Sequence, residues 1–358
     1  MNRKQATSRL AVCAIAMIGT ISCFAEPVRV RDGFGGPWGY LDEELNLLIE
    51  PQFEYATEFD SGIAVVQDGD EGPHFIIDRT GEHIARIEAD GVRNPSDGMI
   101  AFNLGRTGGY YDYHGNRRLQ GYTNTWDFSE GKAFVTRNGE GYFIDRDGTR
   151  LFPPLTLDRG YEFHDGLAVV RVKPPNSSET RYGMIDESGA WVIDPRYSFL
   201  GEFSEGIAVA GFGEKSYGYI DREERIVIEP QFTAARPFRN ATAFVTREEG
   251  PRFAYPAHWE LIDRDGNIVN ALETDIRLYS SGGGLWAVVR PIPNSESPRV
   301  GFVDATGEVV IDPIFDSDFY YFSAGYWVTL LWEHGNARTV IIDPATRECH
   351  YLDEILMQ

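Results

Sequence analysis

The sequence of 358 residues is poor in cysteine, in positive charge and in long apolar runs. It contains three cysteines, and Cys13 lies in the apolar N-terminal segment, so a disulfide framework that holds a small secreted domain together is excluded. After residue 25, no apolar run approaches the ~20 residues that a membrane-spanning helix needs. The aromatic content of 13%, by contrast, is ample for a folded core.

The shortage of positive charge excludes classes of partner. Lys and Arg number 33 against 55 Asp and Glu, which gives a formal net charge of −22. A surface this acidic repels phosphate backbones and anionic headgroups, so we expect neither nucleic acid nor anionic lipid as a partner. The charge leaves basic proteins, divalent cations and neutral glycans as partners, and the simpler interpretation is that it serves solubility alone.

Catalytic and cofactor motifs are also missing. There is no H-E-x-x-H, no paired-Cys zinc spacing and no G-x-S-x-G, and "GFGEKS" (211–216) lacks the spacing of a phosphate-binding loop. We therefore predict no catalytic residue, no metal ligand and no cofactor, and we do not expect an enzyme.

The N-terminus has the pattern of a secretion signal. Arg3, Lys4 and Arg9 precede "LAVCAIAMIGTISCFA", an apolar run that ends in small residues. This pattern predicts a cleaved signal over residues 1–25 and an exported, periplasmic or extracellular chain. An alternative cleavage before Cys23, within the weakly lipobox-like "TISC", would make Cys23 a lipid-bearing first residue and the only membrane anchor.

The rest of the chain repeats one phrase. "WGYLDEELNLLIEPQF" starts at Trp38 and "YGYIDREERIVIEPQF" starts at Tyr217, and further copies share an Asp that recurs about every 38 residues. The recurring Asp stands at positions 42, 78, 112, 145, 186, 221, 263, 304 and 343. A second landmark of the form F-S-E-G follows each Asp after 19 to 21 residues. Such a period indicates stacked or radial repeats.

Each phrase reads as a β-meander. Short β-branched and aromatic runs such as "GYID" and "VVID" predict strands, and the "DRDG"-type segment between them predicts a hairpin turn. Asp can accept hydrogen bonds from the turn amides, and Gly accepts positive φ. The predicted structural turn residues are Asp78, Gly81, Asp145, Gly148, Asp186, Gly189, Asp263, Gly266, Asp304 and Gly307. Leu45 and Glu224 replace the Gly in two copies, where we expect a different loop or local strain.

The phrase resembles the repeat of the bacterial WG-repeat proteins. The Trp/Tyr-Gly pair stands at Trp38-Gly39, Tyr182-Gly183 and Tyr217-Gly218, and Pro-x-Phe/Tyr steps stand at Pro51, Pro195, Pro230 and Pro313. The resemblance covers nearly all of residues 28–343. It implies a β-rich repeat module without known catalysis that is usually presumed to mediate interactions, and it supplies no ligand.

The expected fold is all-β. A single unit of three or four short strands cannot bury its hydrophobic face, so neighbouring units must supply the missing side. We predict a tandem array of about eight β-meander repeats over residues 26–343, with a partial ninth, and residues 344–358 as a C-terminal cap or tail. An open, curved, solenoid-like array is slightly favoured, and an eight-bladed propeller-like ring is the alternative.

Insertions fall in one class of loop, the connection from the "AVV" strand to the next "GYID" strand. Because the repeats stack, these loops should project along one edge, which in repeat proteins is often the binding face. The candidate binding-edge residues are Arg171, Lys173, Arg181, Arg247, Arg252, Phe253, Tyr255, Arg290 and Arg299. The alternatives are functionless loop drift and simple pairing of these bases with nearby carboxylates.

The preferred functional hypothesis is an exported, non-enzymatic scaffold that binds a protein or envelope component through these long loops. The alternative is a carbohydrate-binding or glycoside-acting β-protein that uses carboxylates beside exposed aromatic residues.

Overall fold

The computed structural model describes residues 25–69, 72–152, 157–174, 177–247, 258–272, 277–290, 298–316, 320–333 and 336–357. These residues form 34 short strands and one helical turn, so the all-β prediction is confirmed. None of the described helical residues forms a helix long and apolar enough to cross a bilayer.

The strands assort into nine consecutive antiparallel groups, called sheets 1 to 9 here. Sheet 1 has three strands: β1 (Val28–Arg31), β2 (Trp38–Leu41) and β3 (Leu47–Phe53). Sheet 2 comprises β4 (Tyr55–Ala56), β5 (Ile63–Gln67), β6 (His74–Asp78) and β7 (His83–Ile87). Sheet 3 comprises β8 (Gly91–Val92), β9 (Met99–Leu104), β10 (Thr107–Asp112) and β11 (Arg117–Tyr122).

Sheets 4 to 6 follow the same order. Sheet 4 comprises β12 (Asn124–Thr125), β13 (Lys132–Arg137) and β14 (Glu140–Asp145), and sheet 5 comprises β15 (Leu157–His164), β16 (Leu167–Val172), β17 (Arg181–Asp186) and β18 (Trp191–Tyr197). A single pair, Gly141 and Leu157, joins sheets 4 and 5 edge to edge. Sheet 6 comprises β19 (Phe199–Leu200), β20 (Ile207–Gly211), β21 (Tyr217–Asp221) and β22 (Ile226–Phe232).

Sheets 7 to 9 complete the chain. Sheet 7 comprises β23 (Ala234–Ala235), β24 (Ala243–Thr246), β25 (Glu260–Ile262) and β26 (Ile268–Ala271). Sheet 8 comprises β27 (Arg277–Gly282), β28 (Leu285–Arg290), β29 (Arg299–Val303) and β30 (Val309–Asp316). Sheet 9 comprises β31 (Tyr320–Ser323), β32 (Tyr326–Glu333), β33 (Asn336–Ile342) and β34 (Cys349–Tyr351), and the turn α1 (Leu352–Ile355) follows. Residues of the predicted tail thus supply the fourth strand of sheet 9.

Each sheet buries both of its faces, one against each neighbour. In β5, Ala64 and Val66 pack against sheet 1, whereas Val65 between them packs against sheet 3. Successive side chains of a strand point to opposite faces, so an uninterrupted apolar run such as "IAVV" contributes side chains to two apolar cores. The same division recurs around the molecule, which explains why the second strands are apolar throughout rather than alternating.

The array closes on itself. Nine apolar clusters each join one sheet to the next, and the ninth joins sheet 9 to sheet 1 through Val28 and Val30 on one side and Val328 and Ile341 on the other. An open array of nine sheets would have eight such clusters. The arrangement is therefore a ring of nine sheets, whereas the sequence favoured open ends and its ring alternative had eight.

Polar contacts strengthen the same junction. The backbone N–H of Arg29 donates to Ser323 Oγ at 3.0 Å, and the Tyr321 hydroxyl donates to the Arg29 carbonyl at 2.8 Å. The Arg29 guanidinium lies 3.0 Å from the carboxylate of Glu58, whose pKa is raised by burial. Sheet 1 lacks the short first strand of the other sheets, and side chains of sheet 9 occupy its free edge instead.

The hairpin turns follow the Asp–Gly pattern. Asp78 Oδ1 accepts hydrogen bonds from the N–H groups of Thr80 and Glu82 at 2.8 and 3.1 Å, and Gly81 has φ +82°. The other four predicted turns share this geometry, with positive φ at Gly148, Gly189, Gly266 and Gly307 and carboxylate acceptors at Asp145, Asp186, Asp263 and Asp304. Leu45 and Glu224 keep the same turn with φ +64° and +60°, so the exceptions carry local strain rather than a different loop.

Candidate functional site

The register of the strands places the long connections at one end of the ring. Val172 pairs with Arg181 and Arg290 pairs with Arg299, so each connection leaves and re-enters its sheet at the same end. At the other end of β5 and β6, Ile63 pairs with Asp78, which places the Asp turn beside the F-S-E-G turn. We call the end with these connections the loop face and the end with the Asp turns the turn face.

Contacts between equivalent turns keep the turn faces aligned from sheet to sheet. Ser129 Oγ donates to the carbonyl of Phe163 at 2.6 Å, and Ser204 Oγ donates to the carbonyl of Phe238 at 2.6 Å. The Glu130 carboxylate accepts from the N–H of Gly166 at 3.0 Å. The Ser and the Glu of one F-S-E-G landmark therefore contact the Phe and the Gly of the next landmark. These contacts keep the turn faces of successive sheets on one side of the ring and the loop faces on the other.

Three of the predicted binding-edge residues have carboxylate partners. Arg171 pairs with Asp158 across the β15–β16 hairpin at 2.5 Å, and Arg181 pairs with Glu179 at 2.6 Å. Arg247 forms an ion pair with Glu260. The alternative that these bases simply pair on an acidic surface thus describes three of the nine candidates.

The remaining candidates differ in kind. Arg290 and Arg299 are half-buried and directly opposite one another at the end of the β28–β29 hairpin, and no carboxylate pairs with either among the residues that the structure describes. Lys173 lies at the start of a loop-face connection. Arg252, Phe253, Tyr255 and the predicted lipidation site Cys23 lie outside the described residues.

An exposed aromatic pair lies on the loop face where the ring closes. Phe34 is 66% exposed and Trp332 is 41% exposed, and their ring centroids are 6.1 Å apart. Phe34 belongs to the connection between β1 and β2, and Trp332 is the second-last residue of strand β32. Large exposed aromatic side chains in contact with each other are a common mark of a protein-binding surface.

Aromatic side chains also line the loop-face ends of the sheets in pairs. In sheet 2, the rings of Tyr55 and His74 flank Gln67 and are 6.1 Å apart. In sheet 6, the rings of Phe199 and Tyr217 flank Gly211 and are 5.9 Å apart. The second member of each pair occupies the first position of the Trp/Tyr-Gly motif.

Sheet 3 lacks both rings. The equivalent residues, which flank Asn103 in the ladder, are Gly91 and Gly108. A cleft of about 390 Å³ lies there, at the junction with sheet 4. Its lining side chains include Arg93, Phe102, Asn103, Arg106, Asn124 and Trp126.

A second, smaller cleft of about 120 Å³ lies between sheets 4 and 5 and shares Trp126. The guanidinium of Arg159 lies 4.6 Å from the ring centroid of Trp126. Asp127 Oδ1 and Arg159 Nε are both buried without a hydrogen-bond partner in the described part of the chain. Both atoms therefore carry a desolvation cost that no described protein group offsets.

Burial sets the electrostatics of this second cleft. Burial raises the pKa of Asp127, an effect that Arg93 opposes and Glu162 reinforces. Burial also raises the pKa of Glu202, which His164 opposes from 3.7 Å. Across the described residues, no three His, Cys, Asp or Glu side chains are placed to hold a metal ion together.

The comparison with protein families decides what kind of repeat this is. The model described as "WG containing repeat" matches residues 38–71, 182–215, 217–249 and 301–326. The chain therefore carries WG repeats at these four places. The matched segments begin at or one residue after the first position of the Trp/Tyr-Gly motif, which lies in the second strand of sheet 1 and in the third strand of sheets 5, 6 and 8. The strands of the five other sheets follow one another in the same antiparallel order.

Solved structures with a similar arrangement are distant. The β-propeller domain of the Trilobed protease from Pyrococcus furiosus, whose title reports an open velcro topology, is 14% identical, covers 73% of this chain and 82% of its own, and has a TM-score of 0.39. Apo AztD from Citrobacter koseri is 13% identical, with 78% and 91% covered and a TM-score of 0.41. An acylaminoacyl peptidase from Pyrococcus horikoshii is 14% identical, with 71% and 44% covered and a TM-score of 0.37. At these TM-scores the likenesses carry no argument about activity or ligand.

The comparison with curated proteins found no match. The residues of this protein that sequence reasoning did not single out are Phe34 and Trp332 and the lining of the large cleft. The signal for the cleft was present: Gly108 stands where the repeat calls for Trp or Tyr, and the connection that follows β9 has only two residues, Gly105 and Arg106, as short as the one that follows β13 in sheet 4.

Proposed function

We propose that this protein is an exported, non-enzymatic scaffold that binds a protein or envelope component through its loop face. The observation that carries the proposal is the strand register, because it gathers nine independent connections at one end of a rigid ring. Binding residues are commonly carried on loops that a rigid scaffold positions. The exposed pair Phe34 and Trp332 supplies an aromatic anchor at that same end.

The acidic net charge limits the kinds of partner that the protein can bind. With a net charge of −22, the protein favours a basic or neutral surface and disfavours an anionic one. The half-buried pair Arg290 and Arg299 adds a local cationic point to the loop face, which would orient a partner that carries one carboxylate. Aromatic residues and Arg are both enriched in protein–protein interfaces.

Site-specific crosslinking tests the proposal. A photocrosslinking residue is placed on the loop face at Phe34, Trp332 or Arg299, and on the outer strand β26 at exposed Ile268 as the matched control. The protein is crosslinked in its native envelope and the adducts are identified by mass spectrometry. The proposal expects one partner to be shared by the three loop-face positions and absent from Ile268; equal labelling at Ile268, or no shared partner, would refute it.

Export is tested on the same material. The mass of the mature N-terminus should correspond to a chain that begins at Glu26, or to one that begins at a lipidated Cys23 under the alternative processing. An intact Met1 would contradict export through this signal.

A further inference from the structure

The large cleft of sheet 3 is distinct from the long loops of sheets 5, 7 and 8, and it has its own structural cause. In sheets 2 and 6, two rings fill the space on either side of the central ladder residue, whereas in sheet 3 both positions are Gly. The two-residue connection after Leu104 also leaves this part of the loop face uncovered. The two missing aromatic side chains and the short connection therefore occur at the same place in the molecule.

The cleft is built to stay open. A Cβ added to Gly108 would lie 2.5 Å from the carbonyl oxygen of Phe102, so the backbone of the hairpin cannot accept a side chain there without moving. Its volume of about 390 Å³ lies within the usual range for small-molecule sites. A rigid, pre-formed concavity loses little free energy to ordering when it binds a ligand.

The chemistry of the lining is polar and neutral to cationic. Asn103 and Asn124 offer amide donors and acceptors, Thr123 and Thr125 offer hydroxyls, and Trp126 offers an aromatic surface. Arg93 and Arg106 are exposed at the rim. None of the described lining residues carries a carboxylate, although the chain has 55 of them.

A pyranose sugar matches this lining. It has a flat C–H face that packs on an aromatic ring and a rim of hydroxyls that both donate and accept hydrogen bonds, as amide side chains do. An aromatic side chain would fill the same space without a hydrogen bond to the exposed amide of Asn103, whereas the amide of Asn124 already donates to Thr136 Oγ1 at 2.8 Å and retains its oxygen as an acceptor. We propose that the cleft between sheets 3 and 4 binds a neutral or acidic pyranose unit of a glycan, with Trp126 as the platform and Asn103 and Asn124 as the hydrogen-bonding residues.

This site does not depend on the loop-face scaffold of the preceding proposal. It involves none of the long connections, and it predicts binding of a small ligand in isolation. Failure of the crosslinking experiment would leave the glycan site untouched, and the reverse also holds.

The test uses the mature chain and four defined probes: N,N′-diacetylchitobiose, cellobiose, maltose and digalacturonate. Binding is followed by calorimetry and by Trp fluorescence, up to about 10 mM probe, which covers weak single-sugar affinities. At least one probe should bind and shift the Trp emission. If none binds, the proposal is overturned; if N-acetyltryptophanamide binds instead, the cleft is a peptide pocket and the saccharide assignment is also overturned.

Two variants locate the binding. Gly91→Tyr restores the ring that Tyr55 supplies in sheet 2; its Cβ would meet only the flexible end of Asn103, at 2.9 Å, so the variant should fold. It should lower the affinity at least about tenfold, as should Asn103→Ala combined with Asn124→Ala. Asn138→Gly is the matched control, because Asn138 is exposed in the next hairpin with φ +53° and does not line the cleft. Unchanged affinity in a folded Gly91→Tyr variant would contradict the proposal.

Discussion

At the scale of single residues, the Gly of the Trp/Tyr-Gly motif has a steric reason. A Cβ added to Gly218 would lie 2.6 Å from the carbonyl oxygen of Ile228 and 2.9 Å from the nitrogen of Pro230. The same approach recurs at Gly39, Gly183 and Gly301, each against an Ile-x-Pro segment of the neighbouring strand. The Gly and the Pro of the repeat therefore contact each other. They meet at the bulge where the strand that carries the Gly pairs with the strand that carries the Pro.

This contact gives the first prediction. Gly218→Ala should lower the free energy of unfolding by about 1–3 kcal/mol, because backbone atoms on both strands must move to admit the methyl group. Gly213→Ala is the control, since a Cβ there has no neighbour within 4 Å and its φ is not positive. Urea denaturation measures both; equal effects of the two substitutions would contradict the steric explanation.

The F-S-E-G turn gives the second prediction. Its third and fourth residues both have positive φ, as Glu130 and Gly131 show at +50° and +77°. Gly131→Ala places a Cβ in open space, so only the backbone conformation is affected, and we expect a loss of about 1 kcal/mol.

Sheet 7 supplies the reverse experiment. Ala241 occupies the same position with φ +62° and is exposed, so Ala241→Gly should stabilise the protein by a similar amount. In both repeats a carboxylate of the preceding sheet accepts a hydrogen bond from the backbone N–H of the substituted residue: Asp97 accepts from Gly131, and Glu205 accepts from Ala241. Neither substitution removes this bond. Effects of the same sign in the two repeats would show that φ is not the cause.

At the scale of elements, carboxylates in two settings should respond to pH in opposite directions. The Thr80 hydroxyl and nearby backbone N–H groups hold the pKa of Asp78 below its usual value, against an opposing effect of burial. A lowered folded-state pKa contributes stability above the unfolded value of about 3.9 that is lost as pH falls through the folded pKa. In the Asp78→Asn variant, the free energy of unfolding should therefore fall less steeply than in the parent as pH decreases below about 4.

The contribution of Asp127 to the free energy of unfolding should depend on pH in the opposite direction. Burial raises its pKa, so its contribution is present below about pH 4 and is lost as pH rises through the raised folded pKa. Asp127→Asn should gain stability relative to the parent as pH rises from about 4 to 7. Urea denaturation across this range measures both variants, and parallel pH dependences in the two would contradict the assignment.

The hairpins were the most predictable elements. The Asp–Gly turns and the "GYID" and "AVV" strands are local features, fixed by turn chemistry and by β-branched residues within a few positions of one another. The short strands such as Tyr55–Ala56 were not foreseen, because they directly continue the preceding strand across Glu54 into the next sheet. Their pairing depends on the neighbouring repeat rather than on their own two residues.

The common end of the long loops could be predicted from the sequence, but the pairing of their basic residues could not. The repeat pattern indicated that the loops share one end, since that follows from antiparallel pairing alone. Which bases are paired depends on carboxylates across a hairpin, as Arg171 and Asp158 show, and the spacing in the sequence does not reveal this. The cleft at Gly91 and Gly108 is an absence of side chains, so it becomes visible only when the sheets are superposed in register.

At the scale of the whole molecule, the closure of the ring was the feature that the sequence could not settle. Closure depends on the small rotation from each sheet to the next, summed over nine sheets, and a slight change per sheet would leave the ends apart. The termini contribute as well, because Leu352 of the predicted tail is buried in the junction with Val28. The tail was expected to cap an open end, but it helps to fill the junction between sheets 9 and 1.

Adjacent residues of β33 test the closure directly. Ile341 faces sheet 1 and Ile342 faces sheet 8, and both are fully buried. In a closed ring, Ile341→Ala and Ile342→Ala should each cost about 2–5 kcal/mol, because each leaves a cavity between two packed sheets. In an open array Ile341 would lie on the exposed end of the last sheet, and its replacement would cost far less than that of Ile342. Denaturant unfolding of the two variants measures the difference; a cost for Ile341→Ala below about 1 kcal/mol beside a full cost for Ile342→Ala would mean that sheets 9 and 1 do not pack in solution.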